Sequence, residues 1–278
     1  MKKYTIDTKK YVNKLIQACK KSKVNLDLKN PKTIQDKLAW LNIYEPDTLK
    51  CDCADKVKVH EYCKKKLGKD LCIPILKVYN SAKEINFDEL PDKFVLKCNH
   101  GSGMNIVVKD KSKLDKKDAI SKLNKWMATD FTFRNGFEAH YHDIKKKIFA
   151  EKYMNDGHDS LFDYKLWCFN GEPKFYTIND RHEHGRWMIY YDMNQKRTSI
   201  VRPDFADEPP FEVKQPEHFK EMVEYAKKLA EPFKFVRVDF YEIDDKVYLG
   251  ELTFTPAAFR FHYIHKEDEK RVGDMLKL

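Results

Sequence analysis

Between residues 235 and 255 two alternating apolar and polar runs meet across a short acidic turn, and this hairpin constrains the chain more than any other segment. The first run reads Val236-Arg237-Val238-Asp239-Phe240-Tyr241-Glu242-Ile243, the turn Asp244-Asp245-Lys246, and the second run Val247-Tyr248-Leu249-Gly250-Glu251-Leu252-Thr253-Phe254. Strand side chains alternate between faces, so parity decides which residues meet. Asp239 and Glu251 are an even number of residues apart. A three-residue loop centred on Asp245 therefore sets them directly opposite each other, with Arg237 opposite Thr253. In that register Val236, Val238, Phe240, Leu252 and Phe254 all point to the other face, which is apolar enough to cover a core. A two-residue loop is expected to break the pairing.

Two carboxylates side by side repel, and one of them resists ionisation unless a cation sits between them. The arrangement thus predicts a divalent metal, Mg²⁺ by preference, with phosphate oxygens completing its shell. Arg237 beside the pair predicts an anion nearby. The alternative is a surface hairpin whose acids are merely solvated. A second segment, Phe94-Val95-Leu96-Lys97-Cys98-Asn99-His100-Gly101-Ser102-Gly103-Met104-Asn105, is a strand ending in Lys followed by a loop with two glycines. The chain then returns as Ile106-Val107-Val108 rather than opening a helix, which excludes a Walker loop. It reads instead as a flap: Gly101 and Gly103 let backbone amides close over phosphates, Lys97 adds a point charge and Ser102 a hydroxyl donor. An ordinary Gly-Ser-Gly turn is the alternative reading here.

The remainder predicts an α+β body behind a helical N-terminal region. Helical spacing runs over Tyr11 to Cys19, Ile34 to Leu41 and Asp55 to Leu67, with Gly68 as the stop. Short apolar runs follow at Ile75 to Tyr79, Phe94 to Lys97, Ile106 to Val108 and Lys147 to Met154, with a helix over Leu114 to Met127 between the last two. Asp163 to Phe169, Lys174 to Ile178 and Met188 to Tyr191 alternate with turn signals as in an antiparallel sheet, and His218 to Lys228 is helical. The charge balance, 53 Lys and Arg against 44 Asp and Glu, suits an anionic partner without selecting one. Seven scattered cysteines fit buried thiols better than a secreted disulfide framework. No apolar run is long enough to span a membrane and the first residues lack a signal-peptide core, so the expected location is cytoplasmic.

Taken together, Arg-Val-Asp-Phe with the following Leu-Gly-Glu-Leu-Thr resembles the Mg²⁺-binding hairpin of D-alanine:D-alanine ligases and other ATP-grasp enzymes. More narrowly, Phe-Val-Leu-Lys-Cys-Asn-His-Gly-Ser-Gly, Asp-Tyr-Lys-Leu-Trp-Cys-Phe-Asn-Gly-Glu-Pro and Gly-Glu-Leu-Thr-Phe-Thr-Pro resemble the TupA-like ATP-grasp family of teichuronopeptide and capsule gene clusters, over most of residues 55–260. The resemblance implies an ATP-grasp fold in which two sheet-bearing lobes clamp ATP: a cap over 1–72, a small lobe with the phosphate flap over 73–154 and a large lobe with the metal hairpin over 155–278. It implies that Lys97 binds ATP phosphates, that Gly101, Ser102 and Gly103 form the flap, and that Glu151 with the backbone of Lys152, Tyr153 and Met154 meets adenine. Asp239 and Glu251 would ligate Mg²⁺, with Thr253 standing where the D-alanine ligases have Asn, a weaker neutral ligand that leaves one or two ions open. Lys165 would line the nucleotide site, and Arg181 and Arg237 would hold the acceptor carboxylate or the developing oxyanion. His60 stands where the family phrase has Arg and is assigned no role.

The implied activity is a carboxylate-amine ligase working through an acyl-phosphate, with ADP and phosphate as products. Family context makes the carboxylate that of a uronic acid in a surface polysaccharide or its precursor and the amine an amino acid or amino sugar, with peripheral association with membrane glycan machinery. A sugar or glycan kinase using the same nucleotide site remains open, as does a glycosyltransferase or a non-catalytic glycan-binding protein, although the chain has no Asp-x-Asp motif. Lys145-Lys146-Lys147 reads as a solvated helix end, and no interleaved aromatic pattern indicates nucleic-acid binding. His140-Tyr141-His142, His182-Glu183-His184 and Cys51-Asp52-Cys53 each lack a second pair at zinc-finger spacing.

Overall fold

A computed structural model describes residues 3–155, 161–182, 185–205, 209 and 213–278, with the side chains of 180–182 and 185 outside that description. Four helices lead the chain: α1 (Val12–Lys21), α2 (Ile34–Tyr44), α3 (Thr48–Ala54) and α4 (Val59–Leu67). A capping box starts α2, with the Thr33 hydroxyl accepting from the Asp36 amide and the Asp36 carboxylate from the Thr33 amide. Gly68, at φ 75°, stops α4 in the left-handed region as expected.

The helix expected over residues 55–67 is corrected at its start. Asp55 caps α3, and its carboxylate turns back to accept from the amides of Val57 (2.9 Å) and Lys58 (3.3 Å). Such a side-chain turn competes with helical bonding. The helix begins only at Val59, and Lys56 projects from the turn.

The first sheet contains β1 (Ile75–Tyr79), β2 (Phe94–Cys98), β3 (Asn105–Val108) and β4 (Ile148–Lys152), ordered β1-β4-β2-β3 with every pair antiparallel. Between β3 and β4 lie α5 (Lys116–Ala128) and the short α6 (Phe131–Arg134). Alternation divides the strands: Phe94, Leu96, Cys98, Ile148 and Ala150 share a buried cluster with Leu123 of α5 and Phe131 of α6, leaving Lys97 and Glu151 for the opposite face. The strand expected to reach Met154 ends at Lys152.

The second sheet is a five-stranded antiparallel meander with one inserted return, ordered β7-β6-β5-β8-β9. Its strands are β5 (Asp163–Phe169), β6 (Glu172–His182), β7 (Gly185–Asp192), β8 (Phe235–Ile243) and β9 (Lys246–Thr253). Helix α7 (Phe219–Ala230) joins β7 to β8, and α8 (Lys266–Asp274) packs on α2. Val236, Val238, Phe240, Leu252 and Phe254 are all buried, as the parity argument requires. They belong to one continuous core with Met222, Ala226 and Leu229 of α7 and with Leu15, Leu38 and Cys63 of the N-terminal helices. Among the described residues no helix is long and apolar enough to cross a membrane.

The hairpin meets its predicted register by an unexpected route. Arg237 pairs with Thr253, Val238 with Leu252 and Asp239 with Glu251. The turn, however, is the two-residue Asp244-Asp245, both at positive φ (50° and 60°), which is the geometry that matches strand twist in tight hairpins. A bulge between Asp239 and Phe240 compensates: Phe240 pairs with Leu249, so Gly250 is the extra residue that restores the carboxylate pairing. A Cβ on Gly250 would stand 2.8 Å from the Tyr241 ring. Gly250→Ala is therefore expected to cost about 1–3 kcal/mol of stability through overpacking at the bulge, read from the urea midpoint. An unchanged midpoint would show that the Tyr241 ring moves aside freely.

Candidate active site

Asp239 is the most deeply buried charge of the hairpin, at 1% exposure. Arg237, two residues back on the same face of β8, grips it with two bonds, Nε to Oδ1 at 2.7 Å and Nη2 to Oδ2 at 2.6 Å. Lys165 lies directly across on β5 and donates to Oδ2 at 2.7 Å, with Asp163 on its other side at 3.1 Å. Burial raises the Asp239 carboxyl above its ordinary value, opposed by the two cations. Burial likewise works to neutralise Lys165, but Asp163 and Asp239 outweigh it and hold the amine protonated more firmly than usual.

Glu251 faces the same cluster across the β8–β9 pair. Arg237 Nη2 approaches its Oε1 at 3.4 Å and donates to Thr253 Oγ1 at 3.1 Å, and that hydroxyl in turn donates to Glu251 Oε1 at 3.1 Å. Lys56 Nζ stands 3.8 Å from Glu251 Oε2. Although burial raises the Glu251 carboxyl, the Lys56, Arg237 and Lys165 charges bring it down to about 2. The expected repulsion between paired carboxylates is thus relieved by three side-chain cations.

The flap lies against this cluster. Lys97, on the outward face of β2, is ion-paired to Glu151 on β4. The Cys98 amide bonds to the Met104 carbonyl at 3.1 Å and closes the loop 99–103. Asn99, fully buried, fixes its base: Oδ1 accepts from the Lys147 amide (2.7 Å), and Nδ2 donates to Asp55 Oδ1 (2.9 Å) and to the Lys145 carbonyl (3.0 Å). Lys56 Nζ donates to the Gly101 carbonyl at 2.7 Å, so one side chain touches both the flap and Glu251. Gly101 has no room for a Cβ, which would stand 2.4 Å from the Phe131 ring, and Gly103 sits at φ 70°. Ser102, Arg237, Glu251 and Thr253 line a cavity of about 470 Å³ that continues to Glu138 and Arg260.

The structure therefore brings together Lys97, Gly101, Ser102, Gly103, Glu151, Lys165, Arg237, Asp239, Glu251 and Thr253. It pairs Glu151 with Lys97. The Lys152 amide is already bonded to the Pro74 carbonyl at 2.9 Å, and Tyr153 and Met154 follow the end of β4. Arg181 lies on β6 in register with Arg186, and its side chain is outside the described residues, as are Glu183 and His184. Sequence reasoning missed Lys56 and the polar row of Asp163, Thr177 and Asn179 beside Lys165, where the Thr177 hydroxyl donates to Asn179 Oδ1 at 2.7 Å. The only available signal for Lys56 was the preceding Asp, a turn former. Asp239, Glu251 and Thr253 offer oxygen donors alone, the set that suits a hard divalent cation such as Mg²⁺.

A family model described as TupA-like ATPgrasp matches residues 36–277. Among solved structures the chain is similar to D-alanine–D-alanine ligase from Bacillus anthracis complexed with ATP, at 15% identity and a TM-score of 0.40, over 73% of this chain and 54% of that one. It is similar to L-amino acid ligase from Bacillus licheniformis at 16% identity and a TM-score of 0.44, over 78% of this chain and 47% of that one. Biotin carboxylase from Campylobacter jejuni, in its β-γ-ATP complex, shares 15% identity at a TM-score of 0.46, over 81% of this chain and 47% of that one. The chain spans about half the length of these three structures. No curated protein matches it.

The buried charge network makes a thermodynamic prediction. Asp239→Asn removes the carboxylate that Arg237 and Lys165 share, leaving them Glu251 and Asp163 alone, and is expected to cost about 3–5 kcal/mol in urea unfolding. Lys165→Met should then cost clearly less in the Asp239→Asn background than in the wild type. Additive costs would show that Lys165 and Asp239 are not coupled.

Proposed function

This chain belongs to the TupA-like ATP-grasp family, and from that premise we propose that it is an ATP- and Mg²⁺-dependent carboxylate-amine ligase. The observation that carries the reading is the facing pair Asp239 and Glu251, of which Glu251 lines one cavity together with Arg237, Thr253 and Ser102 of the glycine loop. Lys97, Lys56 and the amides of residues 101–103 would receive phosphate oxygens. Asp239, Glu251 and Thr253 would hold Mg²⁺, which when bound supplies charge neutralisation to those oxygens. Tyr153 and Met154 would line the adenine end.

The cavity beyond Glu251 accepts the second substrate. Arg237 and Arg260 give it two cations, suited to orienting a carboxylate. That carboxylate attacks the γ-phosphorus of ATP, releasing ADP and forming an acyl-phosphate. A neutral amine then attacks the acyl carbon, phosphate departs, and the amine's surplus proton goes to solvent or to the phosphate. Arg237 orients the carboxylate for the first step and stabilises the tetrahedral oxyanion of the second. The family context supports a uronic acid of a surface polysaccharide, or its precursor, as the carboxylate, and an amino acid or amino sugar as the amine.

Incubation with γ-labelled ATP, Mg²⁺, a uronic-acid glycan and an amino-acid pool tests the reading. Label should appear as free phosphate only when glycan and amine are both present, whereas label retained on the glycan would make the enzyme a kinase. Glu251→Gln and Lys97→Met should each lower turnover by at least about 10²-fold with an unchanged circular dichroism spectrum. Wild-type turnover in both variants would sink the site assignment.

A further inference from the structure

Away from the carboxylate cluster, α4 and the segment that follows it gather three metal-ligating side chains, with a fourth beside them. His60 lies in the first turn of α4 and Cys63 one turn later, three residues on, so both project from one helix face. Gly68 reverses the chain, and Asp70 and Cys72 return beside that face. His60 Nδ1 meets Asp70 Oδ2 at 2.8 Å, and the ligand atoms of His60, Asp70 and Cys72 all lie within 4.8 Å of one another. Cys63 Sγ lies against the same returning segment, donating to the Lys69 carbonyl at 3.7 Å, and is the fourth candidate ligand beside that group.

Further bonds hold these groups in a ligating posture. The Leu71 amide donates to Cys63 Sγ at 3.3 Å, an interaction that favours thiolate over thiol, and the Cys72 amide donates to Asp70 Oδ1 at 2.9 Å. Two sulfurs, one imidazole nitrogen and one carboxylate oxygen form a borderline-soft donor set, and Cys63 would complete the three grouped ligands to the four of a closed tetrahedral site.

We propose that His60, Cys63, Asp70 and Cys72 bind one structural Zn²⁺. The ion would tie α4 to the segment that enters the first sheet. That segment also touches the second sheet, because the Leu71 carbonyl accepts from the Leu249 amide at 2.8 Å, two residues before Glu251. On its other side α4 begins directly after the turn that presents Lys56 to Glu251. Zinc at this point therefore braces both partners of that ion pair without sharing a ligand with Asp239 or Glu251, and the site stands whether or not the chain is a ligase.

The test uses the full chain, purified under reducing conditions without chelator. Elemental analysis should find about one zinc per chain. Protein stripped by chelator and titrated with Co²⁺ should develop tetrahedral d–d bands and a thiolate-to-cobalt charge-transfer band. Cys63→Ser and Cys72→Ser should each weaken the charge-transfer band, and Asp239→Asn should leave it intact. Absence of that band in the wild type overturns the proposal without reference to any variant. So does a band unchanged in both serine variants, or an intact mass showing Cys63 and Cys72 joined as a disulfide.

Discussion

A carboxylate in the middle of a sheet, almost wholly removed from water, is the constraint around which the site is organised. An ion the size of the Asp239 carboxylate loses several kcal/mol of hydration on burial, and only close, well-directed cations return it. Three devices deliver them. Parity along β8 places Arg237 on the face of Asp239, cross-strand register places Lys165 opposite, and the side-chain turn at Asp55 swings Lys56 toward neighbouring Glu251. A slip of one residue between β5 and β8 would carry Asp239 into the apolar layer with Val238 and Phe240. Strand register and charge compensation are thus a single requirement, and the order β5-β8-β9 satisfies it.

Alternation made the hairpin legible, because its two faces differ so sharply in polarity that the partners of Asp239 and Arg237 follow from counting. The loop length did not follow, since a three-residue loop and a two-residue loop plus one bulge give the same pairing at the carboxylates. The distinguishing signal was local: Asp244-Asp245 tolerates positive φ, and an isolated Gly250 inside a strand marks a bulge. Lys56 was illegible for another reason. In a chain with 53 basic residues nothing nearby distinguishes one half-buried lysine, and its position depends on Asp55 meeting Asn99, 44 residues away. Asp163, Thr177 and Asn179 are likewise defined by cross-strand register and by no motif of their own.

Asn99 shows how the two sheets come to share one site. A buried amide must satisfy its donors and acceptor, and here they reach the Asp55 turn and both ends of the Lys145 to Lys147 segment that feeds β4. The base of the flap is therefore fixed while its tip, Ser102, faces the cavity. The helical region contributes through the same contact, because the Asp55 oxygen that binds Asn99 also bonds the amides of Val57 and Lys58. What reads in sequence as a cap thus supplies a side chain to the cluster.

Among the described residues, four ion-paired carboxylates, Asp163, Asp239, Glu251 and Glu151, are matched by four cations, Lys56, Lys97, Lys165 and Arg237. A balanced cluster exerts little long-range pull on an anion even in a chain of net charge +9. An entering phosphate must compete with resident carboxylates for the same lysines, so its net gain is a difference between two sets of ion pairs. Were Asp239 and Glu251 to hold a divalent cation, Arg237, Lys165 and Lys56 would be released toward that phosphate. Cation and anion would then each strengthen the binding of the other, and by linkage the coupling is equal in both directions. The directional part of recognition would then fall to groups outside this exchange, the amides of a loop in which Gly101 is confined by Phe131 and Gly103 by its positive φ.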